Sequence, residues 1–280
     1  MTTIAENIQT LRSIKSDIKN AIIQKGGSVT DAFGTYAQAI TNLPSGGGGG
    51  TENEDALIMR TLSGTYSNDR ISRVGDYIFA NNYRLSSVNL LNCKSIGNYA
   101  FSGCPNLTYI NISLCEFVGY NAFAYCSKLP YINLPLCKSL MTSAFMYCSR
   151  LQSISLPNCS YVGYGAFWKC SKLQSINLPL CTSFGKDILD YCSTFAECSA
   201  LSIVKIPLCP DIARYAFESC INLKEVYLNS VSSVTTIQPT TFSNCPNLTS
   251  VYVPASLVDA FKTAQYWSSI STKIVAYTGA

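Results

Sequence analysis

The pattern Phe-x-x-Cys occurs seven times, at Phe101/Cys104, Phe123/Cys126, Phe145/Cys148, Phe167/Cys170, Phe195/Cys198, Phe217/Cys220 and Phe242/Cys245, in steps of 22, 22, 22, 28, 22 and 25 residues. Phe79 stands 22 residues ahead of Phe101 and opens a degenerate first copy, with Asn82 in the cysteine position. Three residues beyond each of these positions a leucine, from Leu85 to Leu248, begins L-x-x-[IV]-x-[LIV], often followed by proline, as in LPYINLP, LQSISLP and LSIVKIP. One coil of this length cannot bury its own apolar face, so neighbouring coils must stack and share a continuous core. Ile110 and Ile112, and their equivalents, alternate at strand period and point inward. The proline lacks an N–H donor and ends the pairing. The Ala-Phe segment forms the far wall in short helical or irregular turns, because about 22 residues leave no room for a full helix.

A period of this length with a Leu-x-x-Leu-x-Leu core predicts an α/β repeat fold. Specifically, we expect a leucine-rich-repeat solenoid of about eight 22-residue coils, with a parallel sheet on one face and a small α-helical module ahead of it. Twelve of the 14 cysteines keep half of this period: from Cys93 to Cys181 they follow one another every 11 residues, and again from Cys198 to Cys220. A disulfide framework has no reason to keep such spacing. Thirteen of the 14 fall into two repeat-equivalent columns and are read as buried reduced thiols, small apolar residues with a weak donor. Disulfides between adjacent coils stay open as an alternative, although parallel Cβ vectors suit them poorly. The chain has no His and no C-x-x-C pair, so no metal site is expected.

The register C-x-x-L-x-x-I-x-L-P-x-C-x-x-V-G-x-x-A-F-x-x-C, over about residues 70–253, resembles the BspA-like leucine-rich repeats of bacterial surface proteins. The segment VYVPASLVDAFKTAQYWSSISTKIVAY resembles the closing segment found after such repeats, with Leu257, Phe261 and Trp267 covering the last coil over a short helix. The resemblance implies adhesion or recognition at surfaces and no catalytic residues.

Ahead of the repeats, residues 3–24 carry an apolar heptad stripe that includes Ile4, Leu11 and Ile18, and Gly26-Gly27 ends it. A second helix holding Val29, Phe33, Tyr36 and Ile40 ends before Pro44. Residues 1–44 read either as a plain helical hairpin or as an attachment or homo-oligomerisation module. The KGG…F-x-x-Y-A-x-A-I stretch is similar to amino-terminal regions of bacteriophage and prophage tail-associated proteins. Residues 45–56, with the run SGGGGG, are a flexible linker. The expected division is therefore module 1–44, linker 45–56, solenoid 57–253 and cap 254–280.

Chemistry is scarce. Without His, neither a Ser-His-Asp triad nor a Cys-His pair can form, and no phosphate-loop or dinucleotide fingerprint occurs, so no cofactor is expected. Only 13% of residues are charged, with a net charge of +4 and no Lys/Arg run, which argues against nucleic acid as partner. No stretch of 18 apolar residues is present, so no membrane insertion is expected. The amino-terminal residues lack the apolar core of a secretory signal, so a virion-associated place, or a cell-surface one reached by lysis or non-classical export, is expected. The largest break in the repeat is a six-residue insertion within 185–195, holding Asp187, Asp190 and Cys192. It reads as a bulged loop. Its acids, with Glu197, give the alternative of a carbohydrate-active enzyme.

The better signal is the outward face of the strands. One column holds Asn89, Asn111, Asn133, Ser155, Asn177, Lys205, Tyr227 and Tyr252, and the next holds Tyr109, Tyr131, Ser153, Ser175, Ile203 and Glu225. Tyr and Asn together combine rigid contact area with adaptable hydrogen bonds. Tyr109, Tyr131, Asn111, Asn133, Asn177, Tyr227 and Tyr252 are therefore the expected ligand-binding residues, with a cell-surface protein or glycan as partner. The Asn column has a second reading, in which its amides bond only one another. A second aromatic row, Tyr125, Tyr147 and Trp168, lies just before the turn cysteines about one repeat apart, and is either another binding strip or packing on the flank. A structural virion spacer that binds nothing on this face is the remaining alternative.

Overall fold

The computed structural model describes residues 59–185 and 193–279. The expected helical module, the linker and the acids of the insertion lie outside them. Ser63–Ala280 forms one compact unit, a parallel solenoid of about nine turns. Each coil places a longer strand on one wall, as Tyr109–Asn111 and Tyr131–Asn133, and a two-residue strand on the next, as Phe117–Val118 and Ser139–Leu140. All pairing is parallel, and equivalent repeat positions face each other, such as Val88 with Ile110 and Val204 with Val226. The longer wall starts one coil before the first recognisable repeat, at Gly64–Ser67.

That wall is interrupted between Tyr109–Asn111 and Tyr131–Asn133. The residue entering the strand normally donates its N–H one coil back, as Thr108 to Ser86 and Gln152 to the Pro130 carbonyl. Pro130 has no N–H to donate, and the ladder lapses there. A second interruption, between Ser153–Ser155 and Ser175–Asn177, has no such residue to explain it.

The third wall corrects the expectation of helical or irregular turns. Alternate N–H groups there donate to the following coil, Tyr99 to Tyr120, Phe101 to Ala122 and Gly103 to Ala124, at 2.7–2.8 Å. The N–H between them closes a tight turn, as Ser102 to Tyr99. This geometry places left-handed backbone two residues before and two after each Phe from Phe79 to Phe217. Tyr99 (φ 54°), Asn121 (52°), Tyr125 (64°), Ser143 (57°), Tyr147 (60°) and Lys169 (61°) all adopt it. Non-glycine residues resist that region by about 1–2 kcal/mol each; the inter-coil ladder offsets the strain. The helical share of the unit's described residues falls in the cap, outside the coils.

The core is a stack of phenylalanines. From Phe79 to Phe242 eight rings lie 4.8–5.7 Å apart and within 7° of parallel. The insertion leaves it undisturbed: Phe167 and Phe195, 28 residues apart, still stack at 5.4 Å and 5°. Tyr66 tilts onto one end, and at the other Trp267 meets Phe242 at 6.1 Å. In the cap a short α-helix, Val258–Thr263, brings the buried Phe261 edge-on to Trp267, whose indole N–H donates to the Thr235 carbonyl at 2.6 Å. Leu257 is only half-buried and takes no core role. The cap also extends the sheet, with Ile274–Ala276 pairing in parallel with the last repeat strand.

Each of the thirteen described cysteines is buried and donates its S–H to a backbone carbonyl. The Phe-x-x-Cys thiols reach the Phe carbonyl of the preceding coil, as Cys126 to Phe101 at 3.2 Å. Those of the other column reach two residues along their own coil, as Cys115 to Phe117 at 3.1 Å. Cysteine combines the small apolar volume both sites demand with one weak donor.

Close coil contact is set by glycine beside the two-residue strand. A Cβ on Gly119 would lie 2.7 Å from the Gly97 carbonyl carbon and 2.8 Å from the Asn98 nitrogen, both backbone atoms of the preceding coil. Gly119→Ala is expected to lower stability by about 1–3 kcal/mol, the usual effect of overpacking. Urea unfolding checks this; an unchanged midpoint contradicts it.

Candidate recognition surfaces

On the sheet wall the outward positions separate into two groups. Tyr109 (41% exposed) and Tyr131 (56% exposed) stand on neighbouring coils in one column, beside exposed Asn133. Asn177 is exposed further along. Asn111 is different: it is half-buried, and its amide donates to Asn89 Oδ1 at 2.9 Å, so this pair spends a hydrogen bond on holding coils together. Towards the cap, Tyr227 and Tyr252 stack at 4.5 Å, and Tyr277 meets both edge-on at 6.1 and 6.4 Å. Lys205 Nζ lies 5.2 Å from the Tyr227 ring centre, and the Tyr227 hydroxyl donates to Glu225 at 2.9 Å. Desolvation and the adjacent Glu225 carboxylate push the Tyr227 phenol up to about 12. The face therefore carries an open tyrosine pair at Tyr109/Tyr131 and a self-packed aromatic cluster near the cap. Tyr277 was not foreseen; it follows a strand beyond the last repeat, where periodicity no longer points.

The second row lies on the turn wall, with one correction. Trp168 stands one residue short of the register of Tyr125 and Tyr147, and the equivalent residue is Lys169. Tyr125 and Tyr147 stack at 4.9 Å, and Trp168 tilts against Tyr147 at 5.8 Å. Lys169 Nζ donates to the Tyr147 hydroxyl at 3.0 Å and pairs with Glu197 at 3.5 Å, while the Trp168 indole N–H donates to Glu197 at 3.1 Å. Tyr147 is the first cause of a raised Lys169 ammonium pKa, with the Glu197 charge adding to it. Glu197, one of the three acids of the enzyme alternative, is thus tied into this strip. Asp187, Asp190 and Cys192 lie outside the described residues. Counting back from each turn cysteine, rather than from aromatic to aromatic, would have found Lys169 and Glu197.

Among the described residues, no group of three or more His, Cys, Asp and Glu is arranged to hold a metal ion, and no helix is long and apolar enough to cross a membrane.

The BspA type leucine rich repeat region profile matches in six copies, over residues 72–196 and 193–276. The chain belongs to this family. No curated protein sequence matches the chain. Among solved structures it is similar to a leucine rich cell surface protein from Faecalibacterium prausnitzii A2-165, at 20% identity and TM-score 0.38, covering 78% of this chain and 80% of that one. It is also similar to the T. pallidum leucine rich repeat protein TpLRR, at 20% identity and TM-score 0.49, covering 74% and 86%. A third similar chain is a leucine-rich repeat protein from Bacteroides ovatus, at 21% identity and TM-score 0.39, covering 75% and 76%. The family match, rather than these distant structures, carries the assignment to BspA-type repeats.

Proposed function

We propose that this BspA-type repeat protein is a non-catalytic recognition protein that binds a cell-surface protein or glycan through the outward face of its longer strands. The observation that carries this is the open pair Tyr109 and Tyr131, set on adjacent coils of the longer-strand wall with Asn133 beside them. Tyrosine in such a position supplies amphipathic area at little entropic cost, and the flanking amide supplies hydrogen bonds. Asn177, and the Tyr227/Tyr252 cluster with Lys205 and Glu225, extend the same face. Asn111 ties its coil to the preceding one through its bond to Asn89. The protein acts where surfaces meet, on a cell exterior or on a virion, as an adhesin or a tail receptor-binding protein. Residues 1–44 serve for attachment or self-association, which light scattering with and without them tests.

Binding of the labelled full chain to intact bacterial cells, immobilised extracellular proteins and a glycan array tests the reading. Saturable binding is expected, and Tyr109→Ala/Tyr131→Ala is expected to weaken it by about 30-fold or more, as for a hot-spot pair worth about 2 kcal/mol. Saturable binding that the double variant leaves intact rejects the sheet face as the site. No binding to any surface favours a spacer.

A further inference from the structure

The residue just ahead of each repeat leucine stands at the corner before the longer strands. In three coils, reading Cys-Pro-Asn-Leu or Cys-Ile-Asn-Leu, it is asparagine. Asn106, Asn222 and Asn247 each donate an amide N–H to the preceding coil, to the Tyr83, Ser199 and Ile221 carbonyls at 2.6, 2.8 and 2.7 Å. Three successive coils between them read Cys-Ser-Lys-Leu or Cys-Ser-Arg-Leu instead. Here serine takes over the bond to the equivalent carbonyl: Ser149 donates to Ser127 at 3.5 Å and Ser171 to Ser149 at 3.3 Å. The next position is thereby released, and it holds Lys128, Arg150 and Lys172, all exposed. Ser199 makes the same bond to Ser171 but is followed by Ala200, so the release does not itself call for a cation.

Stacked coils set these three positions in a straight file, about 4.8 Å from one to the next, where like charges repel. From Phe117 to Gly185 the chain has five cations and no carboxylate. Two of the five are neutralised by flanking coils: Lys138 pairs with Glu116 at 2.6 Å and Lys169 with Glu197 at 3.5 Å. The file is not. Lys128 Nζ donates to the neutral Asn106 carboxamide at 2.7 Å, and neither Arg150 nor Lys172 meets a carboxylate among the described residues. Exposed Gln152 and Gln174 stand beside the second and third cations, on the strand side. A row of like charges, kept where a neutral residue would serve the fold, marks a place shaped for something other than stability.

We propose that this file binds a linear polyuronate, a polysaccharide carrying one carboxylate per sugar. The coil spacing is close to the rise per sugar of an extended pyranose chain, and the long lysine and arginine stems reach carboxylates on either edge of it. Arg150 can hold one carboxylate through two parallel N–H bonds. The Gln152 and Gln174 amides both donate and accept, as sugar hydroxyls do. Phosphates of an extended nucleic-acid strand stand farther apart than one coil, and a net charge of +4 adds little general attraction for one. The file rests on the recognition reading only in its broad sense, binding without chemistry. It uses none of the strand tyrosines, so the two sites fail separately.

The test is isothermal titration of the full chain with oligogalacturonate and oligomannuronate, beside a neutral maltooligosaccharide and an oligo(dT) of matched length. At least one uronate is expected to saturate, and the neutral sugar is not. Raising salt from about 50 to about 200 mM is expected to weaken binding about tenfold, as counterion release from about three contacts requires. Arg150→Gln/Lys172→Gln is expected to weaken it by about tenfold or more. Lys224→Gln, which removes a charge off the file, and Tyr109→Ala/Tyr131→Ala are expected to change nothing. Ala200→Lys extends the file by one coil and is expected to tighten binding and steepen its salt dependence. Unchanged far-ultraviolet circular dichroism assures that each variant is folded. Saturation by neither uronate, tighter binding of oligo(dT), equal loss in Lys224→Gln, or retention of binding in Arg150→Gln/Lys172→Gln would each overturn the proposal.

Discussion

Phe145→Ala is expected to cost about 3–5 kcal/mol and to split the cooperative unfolding of the solenoid in two. Phe145 is fully buried at the middle of the ring stack, 5.1 Å from Phe123 and 5.7 Å from Phe167. Truncation removes the transfer free energy of the ring and leaves a cavity, since the flanking coils are fixed by ladders on three walls and cannot collapse into it. Two near-parallel ring contacts are lost as well, each worth about 0.5–1.5 kcal/mol. In a solenoid each coil contacts only its neighbours, so a central loss weakens the coupling between the two halves. Phe242→Ala supplies the comparison: that ring is half-buried at the end of the stack, under Trp267. It should cost less and leave a single transition. Urea unfolding followed by circular dichroism, with hydrogen exchange resolving the halves, reads both. Equal costs for the two variants, or a single transition in Phe145→Ala, contradict the one-dimensional account.

The same stack shows what could be read in advance. Phe79 to Phe242 recur in register because one column of the core takes one residue type, and the thiols recur because each must fit a small site and supply a donor. The period exposes such requirements directly. Features that break with local preference were hidden. Nothing in Tyr125, Tyr147 or Lys169 announces left-handed backbone, since that conformation is imposed by the inter-coil ladder and opposes the residues' own preference. Pro130 sits inside a repeat that otherwise looks regular, and its effect comes from a missing N–H that an apolar pattern does not register. Lys169 and Glu197 joined the turn strip unnoticed because hydrophobic periodicity follows apolar residues, whereas this column is held by a ring stack, an ion pair and hydrogen bonds. Of the outward residues, exposure at Tyr109 and Tyr131 followed from strand alternation. The Asn89–Asn111 bond could not be separated from open amides without coordinates.

Alkaline pH is expected to unfold this protein steeply, through its cysteines. Burial pushes the Cys104, Cys115 and Cys148 thiols up to about 12, and Cys245 to about 11. It raises Cys126, Cys170 and Cys220 well above the ordinary value too. In the unfolded chain the same thiols ionise near 8.5. Below that pH both states hold the proton and the difference contributes nothing to the slope. Above it the unfolded state binds fewer protons than the native one, so stability falls as pH rises until each native thiol ionises. One such group removes about 1.4 kcal/mol per pH unit, and the three at about 12 together remove about 4 kcal/mol per unit between pH 9 and 12. Urea midpoints should therefore be level from pH 7 to about 8 and drop sharply beyond 9. Cys104→Ala/Cys148→Ala should start lower at neutral pH, having lost packing, yet fall less steeply, because two of the raised thiols are gone. In a Cys192→Ser background, none of the thirteen buried thiols should react with a disulfide reagent at pH 8 until the chain is denatured, because the neutral buried thiol is a poor nucleophile. A midpoint that holds level to pH 10.5, or rapid modification of the native thiols, would show that the two cysteine columns are not the sealed, protonated ladders that their hydrogen bonds to carbonyls describe.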